Sequence, residues 1–303
     1  MGFLLKPAAI GGQAVIEGVM IRGKDKIALS LRRKSGVVEN RVDPHKAWRD
    51  RHPVLKWAVI RGAVTLMESL VIGIRYLNLS ADAAMADEKG GGAAPKTFKD
   101  KALQWLSMGL ALVLGVGLFM VTPMFLTDFI RKDQNPALFN LSAGAIRFVI
   151  FFLYLFAISR MKDVRRVFEY HGAEHKSIFA YEDGKPVTVE NARPFRTHHP
   201  RCGTSFLLIA GFACVAVFAL VDYVVISLTG PYASVLHRVG VHLLMVPFVS
   251  GVSYEVLRFS DKHSHSPVIG KLILPGLWIQ RITTKEPDDR QLEVAVSAVN
   301  NAL

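Results

Sequence analysis

Leu103 to Leu126 reads LQWLSMGLALVLGVGLFMVTPMFL and contains no charged side chain. A helix needs about 20 apolar residues to cross a bilayer, and a soluble core helix does not stay apolar on every side for that length. Three more blocks of the same kind follow: Gly144–Ser159, interrupted only by Arg147, then Ser205–Thr229 and Val235–Leu257. Charged residues make up only 20% of the chain, against roughly 25% in soluble domains. Together these features predict an α-helical membrane protein with about four transmembrane helices.

Lysine and arginine counts set the orientation, because cytoplasmic loops retain them. Residues 1–53 carry eleven Lys/Arg against five Asp/Glu, and the loop 161–204 carries eight Lys/Arg. The loop 127–143 has only Arg131 and Lys132, and the turn 230–234 has none. Both termini therefore belong in the cytoplasm of a multi-pass plasma-membrane protein. No charged segment followed by a short apolar run opens the chain, so no cleavable signal peptide is expected.

Val54–Ser80 is apolar enough to be a fifth span, but Arg61, Glu68 and Arg75 fall seven apart with Thr65 between them. That spacing puts them on one helix face. A crossing here would also place the basic loop 161–204 outside. The reading is an interfacial or re-entrant helix whose polar stripe meets protein or headgroups. Pro267–Ile279, with Pro275-Gly276 inside it, is too short to span and is placed at the interface as well.

The expected organisation follows from these assignments. A cytoplasmic glycine-rich β segment covers 1–53 and the interfacial helix 54–80. A linker covers 81–102, centred on Asp87–Pro95. The spans are 103–127, 144–160, 205–229 and 235–257. A cytoplasmic loop occupies 161–204 and a tail 258–303. Two hairpins make the cytoplasmic portion α+β: Lys26–Arg33 with Val37–Val42 around Lys34-Ser35-Gly36, and Ser177–Tyr181 with Pro186–Glu190 around Asp183-Gly184.

A formal charge of +12 is explained by cytoplasmic loops beside anionic lipid. No basic surface interleaved with aromatics points to nucleic acid. Cys202 and Cys214 are twelve residues apart, about 18 Å along a helix, beyond disulfide reach. Both thiols are expected to be free.

The chemistry gathers in the loop before the third span. Eight of the ten histidines lie between positions 171 and 265. In His171-Gly172-Ala173-Glu174-His175 the two imidazoles are at i and i+4, so a helix aims both at one point, as two nitrogen ligands of a zinc ion require. Glu174 beside them is placed to act as a general base, and H-x-x-E-H matches the inverzincin pattern. Surface or interface histidines are the simpler reading of this motif alone. His198-His199-Pro200-Arg201-Cys202 adds two imidazoles and a thiol just before the span and favours a metal site, zinc above all. A nucleophilic pair of Cys202 with His198 or His199 is a competing use of the same groups.

Four motifs carry a resemblance: GGQAVIEGVMIRG at 11–23, HGAEHK at 171–176, HPRCGTSF at 199–206 and QRITTKEPDD at 280–289. In this order they resemble the YqhQ-like family, domain-of-unknown-function family 1385, bacterial membrane proteins with plastid relatives. The resemblance covers nearly the whole chain. It implies a candidate metal-dependent enzyme without an established substrate, and carries over Glu17, His171, Glu174, His175, His199 and Cys202; His198 falls outside the motif.

The glycines of 11–23 fit tight packing of strands against the helices, since the spacing and lysine of a P-loop are missing. Glu17 could still reach the metal cluster as ligand or base. Within the spans, Asp222 and His242 sit at similar depth on antiparallel neighbours and predict a structural contact rather than a proton relay. Glu255 ends the fourth span on the cytoplasmic side and is a further candidate ligand.

The functional expectation is a zinc-dependent, hydrolytic membrane enzyme. Its catalytic residues are Glu174 and Glu17, and its metal ligands are drawn from His171, His175, His199, Cys202, His198 and Glu255. Its substrate is a membrane protein or a lipid-linked molecule. The alternative is a metal-stapled scaffold or assembly factor without turnover: cysteine ligation leans structural, a glutamate next to a ligand histidine leans catalytic.

Overall fold

The computed structural model describes residues 10–90, 97–131, 135–200, 202–263 and 266–303. The glycine-rich N-terminal motif opens a four-stranded antiparallel meander: β1 (Gly11–Val15), β2 (Gly18–Arg22), β3 (Lys26–Arg32) and β4 (Val38–Pro44), in that spatial order. The β3–β4 hairpin is the one expected, with Gly36 at φ +90° in its turn. The helices that follow are α1 (Ile60–Glu88), α2 (Phe98–Val116), α3 (Thr122–Ile130), α4 (Pro136–Ile158) and α5 (Lys162–Glu182). Then come the single turn α6 (Val189–Ala192), α7 (Gly203–Thr229), α8 (Val235–Lys262), α9 (Pro267–Thr283) and α10 (Asp289–Ala302).

Successive strand residues point to opposite faces, and here both faces are covered. Val15, Met20, Leu29 and Leu31 pack on Tyr76 of α1. Val19, Ile21 and Ala28 pack on Tyr170 and Ala173 of α5 and on Leu292 and Val299 of α10. α10 begins with a capping box between Asp288 and Gln291, which satisfies two otherwise unpaired amides.

Among the described residues, four helical rods are long and apolar enough to cross a membrane: Phe98–Ile130, Pro136–Ile158, Leu207–Thr229 and Val235–Ser260. They coincide with the four expected spans, except that the second starts eight residues earlier than Gly144, at Pro136. There the Asn135 side chain accepts hydrogen bonds from the amides of Ala137 and Leu138. The first rod joins α2 to α3 through a π-helical turn, Gly117–Val121. Within that turn the Phe119 carbonyl accepts a hydrogen bond from Arg147 Nε at 2.8 Å, so the arginine that interrupts the second span meets a carbonyl of the first.

α1 is not among the four rods, and its polar stripe faces protein. Arg61 pairs with Glu255 at 2.5 Å, Glu68 with Arg22 at 2.8 Å and Arg75 with Asp43 at 3.5 Å. Glu68 is buried and also accepts from the Trp48 amide. The expected Asp222–His242 contact is present at 2.8 Å, and three partners join it. Asn140 on α4, Tyr232 and Arg238 all donate to the same Asp222 carboxylate, tying α4, α7 and α8 together.

Two sequence expectations are corrected. The proposed hairpin at Ser177–Glu190 does not form, because Ser177–Tyr181 continues the α5 helix of the histidine motif. Asp183-Gly184 ends that helix instead, with Gly184 at φ +71°, since a glycine in the left-handed region terminates a helix as readily as it turns a hairpin. The linker at 81–102 is shorter than read: α1 runs to Glu88 and α2 starts at Phe98, while residues 91–96, which include Gly91 and Gly92 of the glycine run, lie outside the described residues.

Candidate metal centre

The site forms where α5, the start of α7, the end of α9 and β1 converge. His171 and His175 lie one turn apart on α5, with ring centroids 4.4 Å apart. Gly172 between them has no room for a side chain, because a Cβ there would stand 2.0 Å from the Lys285 carbonyl oxygen. The tail after α9 crosses α5 at this glycine, and the Lys285 amide bonds the Phe168 carbonyl. That crossing carries Thr283 to the site.

Each histidine is oriented by a backbone carbonyl. His171 Nδ1 meets the Thr283 carbonyl at 2.8 Å, and His175 Nδ1 meets the Thr197 carbonyl at 2.5 Å. A carbonyl only accepts, so the proton belongs on Nδ1 and the Nε2 lone pair is left free, the arrangement typical of metal-binding histidines. His171 Nε2 then lies 3.2 Å from Cys202 Sγ, and one donor atom from each of His171, His175 and Cys202 lies within 4.8 Å of the others. Donors sharing a tetrahedral zinc ion stand about 3.3–3.8 Å apart, given Zn–N and Zn–S distances near 2.0 and 2.3 Å. The three side chains fit that geometry with small adjustments.

The electrostatics suit ligation. Burial lowers the pKa of His175 and favours the neutral ring. Burial also pushes the Cys202 thiol up, but the adjacent His175 ring and the Thr204 hydroxyl and amide outweigh it and hold the thiol below its ordinary value. Cys202 is the N-cap of α7 and accepts from the Thr204 amide, so a helix start faces the sulfur.

Glu174 is 4% exposed, and burial raises its carboxyl to about 7. β1 closes over it, since a Cβ on Gly12 would stand 2.9 Å from Glu174 Oε1. Its other oxygen, Oε2, is buried without a hydrogen-bond partner. Both histidines, Glu174 and Cys202 line one cavity of about 390 Å³, together with residues 10–14 of β1.

The other candidates sit elsewhere or in supporting positions. His199 lines the cavity, but its Nε2 faces Glu182 at 3.2 Å and its ring packs on Phe179. Both its backbone groups bond the buried Gln280 amide. His198 Nε2 is buried without a partner, and burial with Arg281 and Arg196 nearby lowers its pKa. Glu17, at φ 55° in the β1–β2 turn, binds Arg166 and accepts from Tyr170. Glu255 is held by Arg61 between α8 and α1. Thr197, Thr283, Gln280 and Gly12 were missed as site residues; the last three lie inside the quoted motifs, so motif membership was the signal available.

The profile of the family described as "Protein of unknown function (DUF1385)" matches residues 57–303. The chain belongs to this family. A relative, uncharacterized protein YqhQ of Bacillus subtilis (strain 168), is 34% identical over 312 residues, covering 98% of this chain and 93% of that protein. No solved structure matches. Among DUF1385 members, then, the geometry above carries the functional argument.

Proposed function

We propose that this protein is a metal-dependent, hydrolytic membrane enzyme, with zinc as the metal and its site on the cytoplasmic surface of the plasma membrane. The observation that carries the reading is the orphan Glu174 Oε2, buried beside three metal-type donors in an open cavity. Three protein ligands with a free position mark catalytic zinc sites, whereas structural sites are closed by four. When bound, the metal would polarise the substrate's electrophilic group and lower the pKa of water.

The protein's own groups supply the rest. Glu174 takes a proton from the attacking water and returns it to the leaving group, a task suited to a carboxyl whose pKa lies near neutrality. Thr283 and Thr197 keep His171 and His175 in the ligating tautomer. The site adjoins the first turn of a membrane-length helix, so membrane proteins and lipid-linked molecules are the substrates within reach. The basic loops that flank it support the cytoplasmic assignment of both termini.

The scaffold reading has one supporting observation, the buried cysteine among the donors. A pair of variants separates the two. Glu174→Gln keeps the metal and the fold but abolishes the protein's contribution in a complementation assay of a deletion strain, while His171→Ala loses the metal. Full complementation by Glu174→Gln would refute the enzyme and leave the scaffold.

A further inference from the structure

The cavity beside Glu174 is walled by the outer strand of the sheet. Among the described residues β1 pairs only with β2, so one of its edges is free of strand partners there. The Arg32 amide bonds the Glu17 carbonyl, which fixes the alternation along β2: Val19 and Ile21 bond towards β3, and Gly18, Met20 and Arg22 towards β1. Their partners Val15, Gln13 and Gly11 therefore point inward, while Gly12 and Ala14 direct their amides and carbonyls off the sheet. Gly12 and Ala14 are also small, and a Cβ on Gly11 would meet nothing within 4 Å, so the edge is open among the described residues. Val167, Phe168 and Ile178 supply apolar wall opposite.

We infer that this site takes an extended polypeptide segment, which adds as a strand along β1 and passes its backbone over Glu174 and the His171/His175/Cys202 cluster. Main-chain bonding at an exposed sheet edge gives such recognition its affinity, and pockets for alternate side chains give its specificity. An unpaired edge is a hazard that proteins otherwise blunt with charge or proline; residues 10–14, Ile-Gly-Gly-Gln-Ala, carry neither. The inference rests on the hydrolytic reading for its purpose, but its geometry is independent of turnover.

The test uses the full chain in detergent, carrying Glu174→Gln to prevent cleavage. A random short-peptide pool is passed over it, retained peptides are sequenced, and one is resynthesised with N-methyl groups on alternate amides in either of two parities. One parity should bind like the parent and the other at least about tenfold more weakly, because only one edge of the added strand faces β1. Ala14→Pro removes an outward amide at a position where an edge strand accepts proline. It should weaken binding by a similar factor with thermal unfolding unchanged. Equal binding in both parities would overturn the inference. So would a pool from which nothing is retained, or displacement of bound peptide by phosphatidylglycerol micelles. Peptide binding of the predicted parity in a protein that holds no zinc would refute the hydrolytic reading and leave the strand site standing.

Discussion

At the scale of single residues, the histidine spacing in His171-x-x-x-His175 was readable because helix geometry alone puts i and i+4 on one face. What fixes those rings was not readable. The Thr283 and Thr197 carbonyls reach them only because the tail returns across α5, a contact separated in sequence by 112 residues for His171. Gly172 is the hinge of that argument, since Lys285 occupies the space of its missing side chain. Gly172→Ala forces a methyl group against the Lys285 backbone carbonyl and should destabilise the protein by about 2 kcal/mol or more, lowering its thermal unfolding temperature. Gly11→Ala, with open space around it, should leave that temperature unchanged. Equal behaviour of the two variants would contradict the crossing of tail and α5.

At the scale of elements, hydrophobic runs located the four membrane-length helices while turn chemistry misled. Asp183-Gly184 satisfies both a hairpin and a helix end, and the difference lies in the burial of Ser177, Ile178 and Ala180 along α5, which only the tertiary packing decides. α1 shows the opposite case: its stripe of Arg61, Glu68 and Arg75 was legible, and each found a protein partner. Asp222 and His242 were paired from their depth, yet Arg238, Asn140 and Tyr232 were not foreseen. Removing one partner from a buried charged cluster leaves the others unsatisfied, at a cost of about 3–5 kcal/mol. Asp222→Ala should therefore lose far more thermal stability than Asn140→Ala, which deletes one neutral donor. If Asp222→Ala unfolds at the wild-type temperature, the cluster does not hold α4, α7 and α8 together.

At the scale of the whole molecule, a sheet sandwiched by α1, α5 and α10 sits beside a bundle of four membrane-length rods, and the site lies where α7 leaves one for the other. The bilayer orientation proposed from charge bias is testable with the chain's own scarcity of thiols, Cys202 and Cys214 alone. A cysteine introduced at Ala233, in the turn between α7 and α8, should react with an impermeant maleimide in intact cells; one at Leu303 should react only after permeabilisation. The reverse pattern would invert the topology. The whole molecule converges on the proposed metal centre. Its most direct measurement is metal content and X-ray absorption of the purified protein, repeated with Cys202→Ser. The proposed centre gives one zinc per chain with one sulfur near 2.3 Å and nitrogen or oxygen ligands near 2.0 Å, the sulfur lost in the variant; a protein that holds no metal, or a sulfur signal that survives Cys202→Ser, would contradict it.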